Sequence, residues 1–208
     1  MKNIKITIVA FAALFIGTTS VQAQAVEEGN IVIDAYYGFP NLYTAVFKTT
    51  YANSGTAADI KIGGIGPLGA RVEYLLTDKI GLGLDLGYNN SKVDYTDIGG
   101  YDNNGNPINY EYNFKTQKIG AMVFMNYHFL DNDKVDFFGT FGVGYGNRSY
   151  KFSSTDPDYV TASIKSLIPV ASRIGVGLRY FFTDNLGANL GLGFGQGGLV
   201  NVGISAKF

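Results

Sequence analysis

The sequence predicts an all-β fold: an eight-stranded antiparallel up-and-down transmembrane β-barrel, preceded by a cleaved N-terminal signal peptide. Three observations predict it. Apolar residues alternate with glycine and polar residues in one segment after another, the period of a strand with one apolar face. Tyr74, Tyr127 and Tyr180 recur at a constant 53-residue interval, each closing a strand before a short turn. Short and long connections also take turns along the chain, as they do in membrane barrels.

Composition agrees. Glycine supplies 28 of 208 residues, and Tyr and Phe 15 each. That glycine content is nearly twice the average of about 7 %. Charged residues are 16 %, against roughly 25 % in soluble proteins. Cysteine is absent, which excludes disulfides, thiolate metal sites and lipidation at an N-terminal Cys. A single histidine, His128, excludes a multi-histidine metal site within one chain. A formal net charge of −1 gives no reason to expect a nucleic-acid partner. No cofactor is expected.

Residues 1–25 read as an address. Lys2 and Lys5 precede an apolar run from Ile6 to Ile16, broken only by Thr7. Small residues follow around Ala23 and Ala25. Charged start, short apolar core and small-x-small site are the parts of a secretory signal peptide. Cleavage after Ala23 and cleavage after Ala25 both fit. The run is too short to span a bilayer as a helix, which needs about 20 residues. Residues 26–208 then form one domain. With no second apolar stretch of helix-spanning length, a membrane role requires a closed barrel.

The first strand is Ile31–Phe39, with Asp34 opposite its apolar face. The second alternates Leu68, Ala70, Val72, Tyr74 and Leu76 with Gly69, Arg71, Glu73 and Leu75. The third, Ile80–Tyr88, has apolar residues at every even position and Gly or Asp85 at every odd one. The fourth runs from Ile119 to Phe129 and the fifth from Val135 to Tyr145. The sixth, Val170–Phe182, sets Arg173 and Arg179 opposite its apolar side. The seventh is Leu186–Phe194. The eighth carries Val200, Val202, Ile204, Ala206 and Phe208 on one face.

The turns near Thr77–Lys79, Leu130–Lys134 and Thr183–Asn185 are short. Asp and Asn suit them because their side chains bond nearby backbone groups. The connections near Pro40–Asp59, Asn90–Tyr110 and Asn147–Ser163 are long and polar, and Gln196–Gly198 is a tight exception. Periplasmic turns and longer extracellular loops are the outer-membrane arrangement. An even strand count places both termini in the periplasm. A soluble barrel would turn its apolar face inward and crowd its outer face with polar residues. Here the second face is mostly glycine with isolated charges, which suits a narrow, filled interior. Aromatics near strand ends, such as Tyr74, Tyr127, Tyr145, Tyr180 and Phe194, suit interfacial girdles.

The signal peptide, the eight strands, the Thr-Asp turns and the terminal Asn201-Val-Gly-Ile-Ser-Ala-Lys-Phe208 resemble the small outer-membrane β-barrel domain family of the OmpX/OmpW type. The resemblance spans about residues 26–208. It implies that Phe208, with Ala206, Ile204, Val202 and Val200 on its parity, is the signal read by the outer-membrane insertion machinery. The implied partners are that machinery and outer-membrane lipids. A partner for the extracellular loops cannot be named from the sequence.

Candidate chemistry is sparse. Arg71, Glu73, Asp85, Asp136, Arg173 and Arg179 share the inward parity with Lys118 and Arg148, and are expected to form a buried ion-pair network in the lumen. His128 is the one candidate general base; with Asp131 and Asp133 reading as turn residues, it is expected to have a turn or lumen hydrogen-bonding role. Asp94, Asp97, Asp102 and the Asn103–Asn106 stretch could hold calcium but lack the EF-hand spacing with its closing Glu. The reading is a non-enzymatic outer-membrane barrel with a structural or surface-interaction role. A narrow OmpW-like channel is the alternative, and a lipid-modifying enzyme a third.

Overall fold

The structure, a computed structural model, describes residues 24–51, 58–130 and 132–208. Most of the expected signal peptide, residues 1–23, and Asp131 lie outside the described residues. In chain order the elements are β1 (Ile31–Phe39), α1 (Leu42–Tyr51), β2 (Ala58–Gly63), β3 (Leu68–Thr77), β4 (Ile80–Tyr101), β5 (Pro107–His128), β6 (Val135–Ser154), β7 (Ala162–Lys165), β8 (Val170–Phe181), β9 (Leu186–Gly195) and β10 (Val200–Lys207). Eight strands close one antiparallel barrel in the order β1, β3, β4, β5, β6, β8, β9, β10. β10 pairs back onto β1, with Val32 opposite Lys207 and Phe39 opposite Val200. Closure leaves the barrel no free strand edge. β2 and β7 are short additions that pair with β4 and β6 beyond the barrel wall.

The parity expected from the sequence sets the faces. Ile33, Val72, Leu84, Val123, Val143, Ile174, Leu190 and Ile204 all point outward and are exposed. Their inward neighbours Asp34, Arg71, Glu73, Asp85, Arg173 and Arg179 are buried. A continuous apolar exterior around a charged interior is the reverse of a water-soluble barrel. Such an exterior is stable against hydrocarbon, where closed barrels satisfy every backbone group internally.

Glycine on the inward parity makes room for large neighbours. A Cβ at Gly83 would come within 2.6 Å of the Phe124 ring, one at Gly191 within 2.6 Å of the Asn201 amide, and one at Gly81 would strike the Glu73 carboxylate.

Two ends differ. At the terminal end, residues 24–30 fold across the opening, and Ala25, Val26, Val32, Leu75 and Phe181 form an apolar plug. The Ala25 amide donates to the Asn132 carbonyl at 2.5 Å, and Lys207 Nζ to the Ala25 carbonyl at 2.9 Å. At the loop end, the segment expected as a long polar loop from Asn90 to Tyr110 is mostly strand. β4 and β5 continue as paired strands to a tight turn at residues 102–106. A 22-residue strand rises about 70 Å at roughly 3.3 Å per residue, whereas crossing a membrane takes about 9–11 residues. Half of this hairpin therefore stands beyond the apolar belt as an arm. α1 lies over the mouth. Asn41 caps it, accepting from the Thr44 amide at 3.4 Å, and Phe47 packs edge-on against Phe114 at 5.2 Å.

Candidate functional site: the filled lumen and the loop-end vestibule

Two polar layers fill the lumen. In the layer toward the terminal end, Arg179 is fully buried. Its Nε and Nη2 donate to Asp34 at 3.0 and 2.8 Å, Nη2 also to Glu73 at 2.6 Å, and Nη1 to Asp136 at 2.8 Å. His128 bridges two of the same carboxylates, with Nδ1 2.6 Å from Asp136 and Nε2 3.1 Å from Glu73. Ser205 donates to Asp34 at 2.6 Å. Three other strands thus converge on one guanidinium, β5 and β10 buttress their carboxylates, and Arg179 also lies 4.4 Å over the Phe138 ring.

The second layer lies toward the loop end. Arg71 Nε donates to Asp85 at 2.7 Å, Tyr36 donates to the same carboxylate at 2.8 Å, and Gln196 Nε2 at 2.6 Å. Gln196 reaches this point because the β9–β10 turn folds into the barrel. Gly195, Gly197 and Gly198 have φ of 107°, 89° and 78°, a region that side-chain-bearing residues rarely enter. Arg173 supports the turn from below, donating to the Gln196 carbonyl and to the Gly198 carbonyl at 3.3 Å. Gly87 and Gly120 leave space for the Gln196 side chain. Several buried nitrogens and oxygens have no protein partner: Arg71 Nη2, Arg173 Nε and Nη2, and both amide atoms of Asn126.

Of the expected lumen charges, Glu73, Asp136 and Arg179 meet in the first layer, and Arg71 and Asp85 pair in the second. Three expectations are corrected. Arg173 forms no ion pair among the described residues; its bonds go to backbone carbonyls. Lys118 and Arg148 do not join the network either, because their strands have already passed the apolar belt at that height. Asp34 and His128, left out of the expected network, are at its centre. Their inward parity was the available signal. Gln196 could not be found that way, since a turn does not carry strand parity.

Above the Gln196 turn is a cavity of about 90 Å³, lined in part by Asn41, Tyr43, Asn89, Lys118, Arg148 and Gln196. Arg148 lies 4.1 Å over the Tyr43 ring and donates to Thr116 Oγ1 at 3.2 Å and Asn89 Oδ1 at 3.3 Å. Further out, the arm and α1 carry an aromatic face. Tyr95 and Tyr112 stack at 5.3 Å, Phe114 meets Phe152 at 4.5 Å, and Tyr112 donates to Asp156 at 3.0 Å, which raises the Tyr112 pKa. Asp102 closes the tip of the arm. It accepts from the Asn104 and Asn106 amides at 2.8 Å, and the Asn106 side chain at 3.0 Å holds its carboxyl below the usual range. Its oxygens therefore stabilise a turn. Among the described residues no group of three or more His, Cys, Asp or Glu could hold a metal ion.

The model of the outer membrane protein beta-barrel domain matches residues 11–191. The chain belongs to that family. No curated protein matches it. Among solved structures, the N-terminal β-barrel domain of Pseudomonas aeruginosa OprF is 16 % identical, covers 88 % of this chain and 100 % of its own, and has a TM-score of 0.45. P. aeruginosa OprG is 12 % identical, with 90 % and 99 % coverage and a TM-score of 0.45. E. coli outer membrane protein W is 13 % identical, with 88 % and 99 % coverage and a TM-score of 0.42. Membership of the family accounts for the reversed polarity of this barrel, apolar outside and charged within.

Proposed function

We propose that the chain is a sealed, non-enzymatic outer-membrane barrel that displays its aromatic arm outside the cell as a surface for interaction. The observation that carries this is the Arg179 layer. One guanidinium held by three carboxylates from three other strands fills the lumen, and opening a path means breaking several buried ion pairs at once. Removing one partner of such a pair costs on the order of 3–5 kcal/mol. The apolar cluster of Val26, Val32, Leu75 and Phe181 and the inward Gln196 turn add further obstruction on either side.

In this reading the termini lie in the periplasm and the loop end faces outward. The outward side chains of Val200, Val202, Ile204, Ala206 and Phe208 meet the insertion machinery during assembly and outer-membrane lipids afterwards. A catalytic His128 is disfavoured because both ring nitrogens are already held by carboxylates. Single-channel recording of the refolded protein in planar bilayers tests the reading. No reproducible conductance steps are expected. Reproducible steps would favour a narrow channel instead.

A further inference from the structure

We infer that the loop-end vestibule is a binding site for a free tetrahedral oxyanion of the phosphate or sulfate class. Three observations converge there. First, the cavity is lined by two cations, Lys118 and Arg148, and by no carboxylate among the described residues. Among the described residues Lys118 Nζ has neither a hydrogen bond nor an ion pair, and both side-chain hydrogen bonds of Arg148 go to neutral oxygens at 3.2 and 3.3 Å. Second, the remaining walls are neutral. The Asn41 and Gln196 amides are engaged by the Ile65 and Asn90 carbonyls and by Asp85, and Tyr43 meets Tyr150, so the donors left along the wall are Asn89 and the first turn of α1 through Leu42 and Tyr43. A helix start presents backbone N–H groups without intrahelical partners and the positive end of its dipole. Third, the layer beneath is also positive. Arg71 and Arg173 stand against one carboxylate, Asp85, and three of their guanidinium nitrogens are unpartnered.

Size agrees with this chemistry. A water-sized group needs about 10–15 Å³ of such space. The vestibule, at about 90 Å³, therefore takes an ion of five heavy atoms. Charge-assisted hydrogen bonds to oxyanions are among the stronger ones available to a protein. Lys118 and Arg148 lie beyond the apolar belt. Burial, and then the neighbouring Arg148, hold the Lys118 ammonium below its ordinary pKa, so the site lacks a countercharge that an anion would supply. The site is independent of whether the lumen conducts, since it lies above both polar layers.

The test is calorimetric titration of the refolded full chain in zwitterionic detergent with inorganic phosphate, and separately with sulfate, at low ionic strength. Saturable binding of one ion per chain is expected. Affinity should fall about tenfold or more in Lys118→Met and in Arg148→Met. It should be retained in Lys118→Arg and unchanged in Lys165→Met, on exposed β7. A second measurement needs no variant. Saturating phosphate should slow acetylation of Lys118 in the wild-type chain more than that of Lys165, read by mass spectrometry. Absence of saturable binding, equal affinity in the Met variants, or equal protection of the two lysines would overturn the inference.

Discussion

Replacing Arg179 with Met removes the hub of the lumen while keeping most of its volume. Four hydrogen bonds to three carboxylates disappear. Asp34 is then left with Ser205, and Glu73 and Asp136 share His128. Stranding one buried charge costs on the order of 3–5 kcal/mol. With three carboxylates stranded together, the loss should lie at the top of that range, about 5 kcal/mol. Arg173→Met is the matched comparison. Arg173 is as deeply buried, but it touches only carbonyls and leaves Nε and Nη2 unpartnered. Its lost hydrogen bonds are offset by relief of those orphaned donors, each effect on the order of 1–3 kcal/mol. Arg173→Met should therefore stay within about 1 kcal/mol of wild type. Urea unfolding in phospholipid vesicles measures both by linear extrapolation. Far-UV circular dichroism and tyrosine fluorescence are the probes, since the chain has no Trp. Equal losses in the two variants would refute the assignment of Arg179 as hub.

Other expectations follow from the same geometry. Gly120→Ala pushes a Cβ into the Gln196 amide and should cost about 1–3 kcal/mol by overpacking. In a Gln196→Ala background much of that cost should vanish, with a coupling of about 1 kcal/mol in a double-mutant cycle by urea unfolding. Leu84→Arg, at the middle of the apolar stretch Ile80–Tyr88 of β4, should destabilise by about 2–4 kcal/mol in vesicles, the cost of a cation on the lipid side near the midplane. His128→Gln should lose about 1–3 kcal/mol of stability and leave the lipid profile of the cell unchanged by mass spectrometry. A changed profile would point to lipid chemistry.

Short-range patterns made the barrel legible. Period-two alternation is a local property of each strand, and Ile80–Tyr88 shows both its faces without reference to the rest of the chain. Strand count and turn positions followed from the Tyr-to-Asp turns. Parity also told which charges face inward, but it carries no information on height along the barrel axis. Parity therefore groups Lys118 and Arg148 with Arg179, although they stand above the apolar belt. The partners of Arg179 come from residues up to 145 positions away, and only the closed ladder brings them together. The arm reads as a loop because Asn and Asp interrupt its apolar alternation. Pairing between β4 and β5, already begun inside the barrel, carries those weak strand formers outward. α1 did leave a local trace: Asn41 as cap, with Tyr43 and Phe47 four residues apart. Its place over the mouth depended on Phe114 and Arg148, which no local pattern links to it.

Spin labels at single cysteines report most directly whether the alternating apolar face meets lipid. The chain has no cysteine of its own, so each label is unique. Labels at Leu82, Leu84 and Leu86 should be relaxed strongly by oxygen and weakly by a water-soluble nickel chelate, with the greatest contrast at Leu84. A label at Tyr101, on the arm, should show the opposite preference. Ready access of the nickel chelate to all three leucine positions would contradict a membrane-embedded barrel.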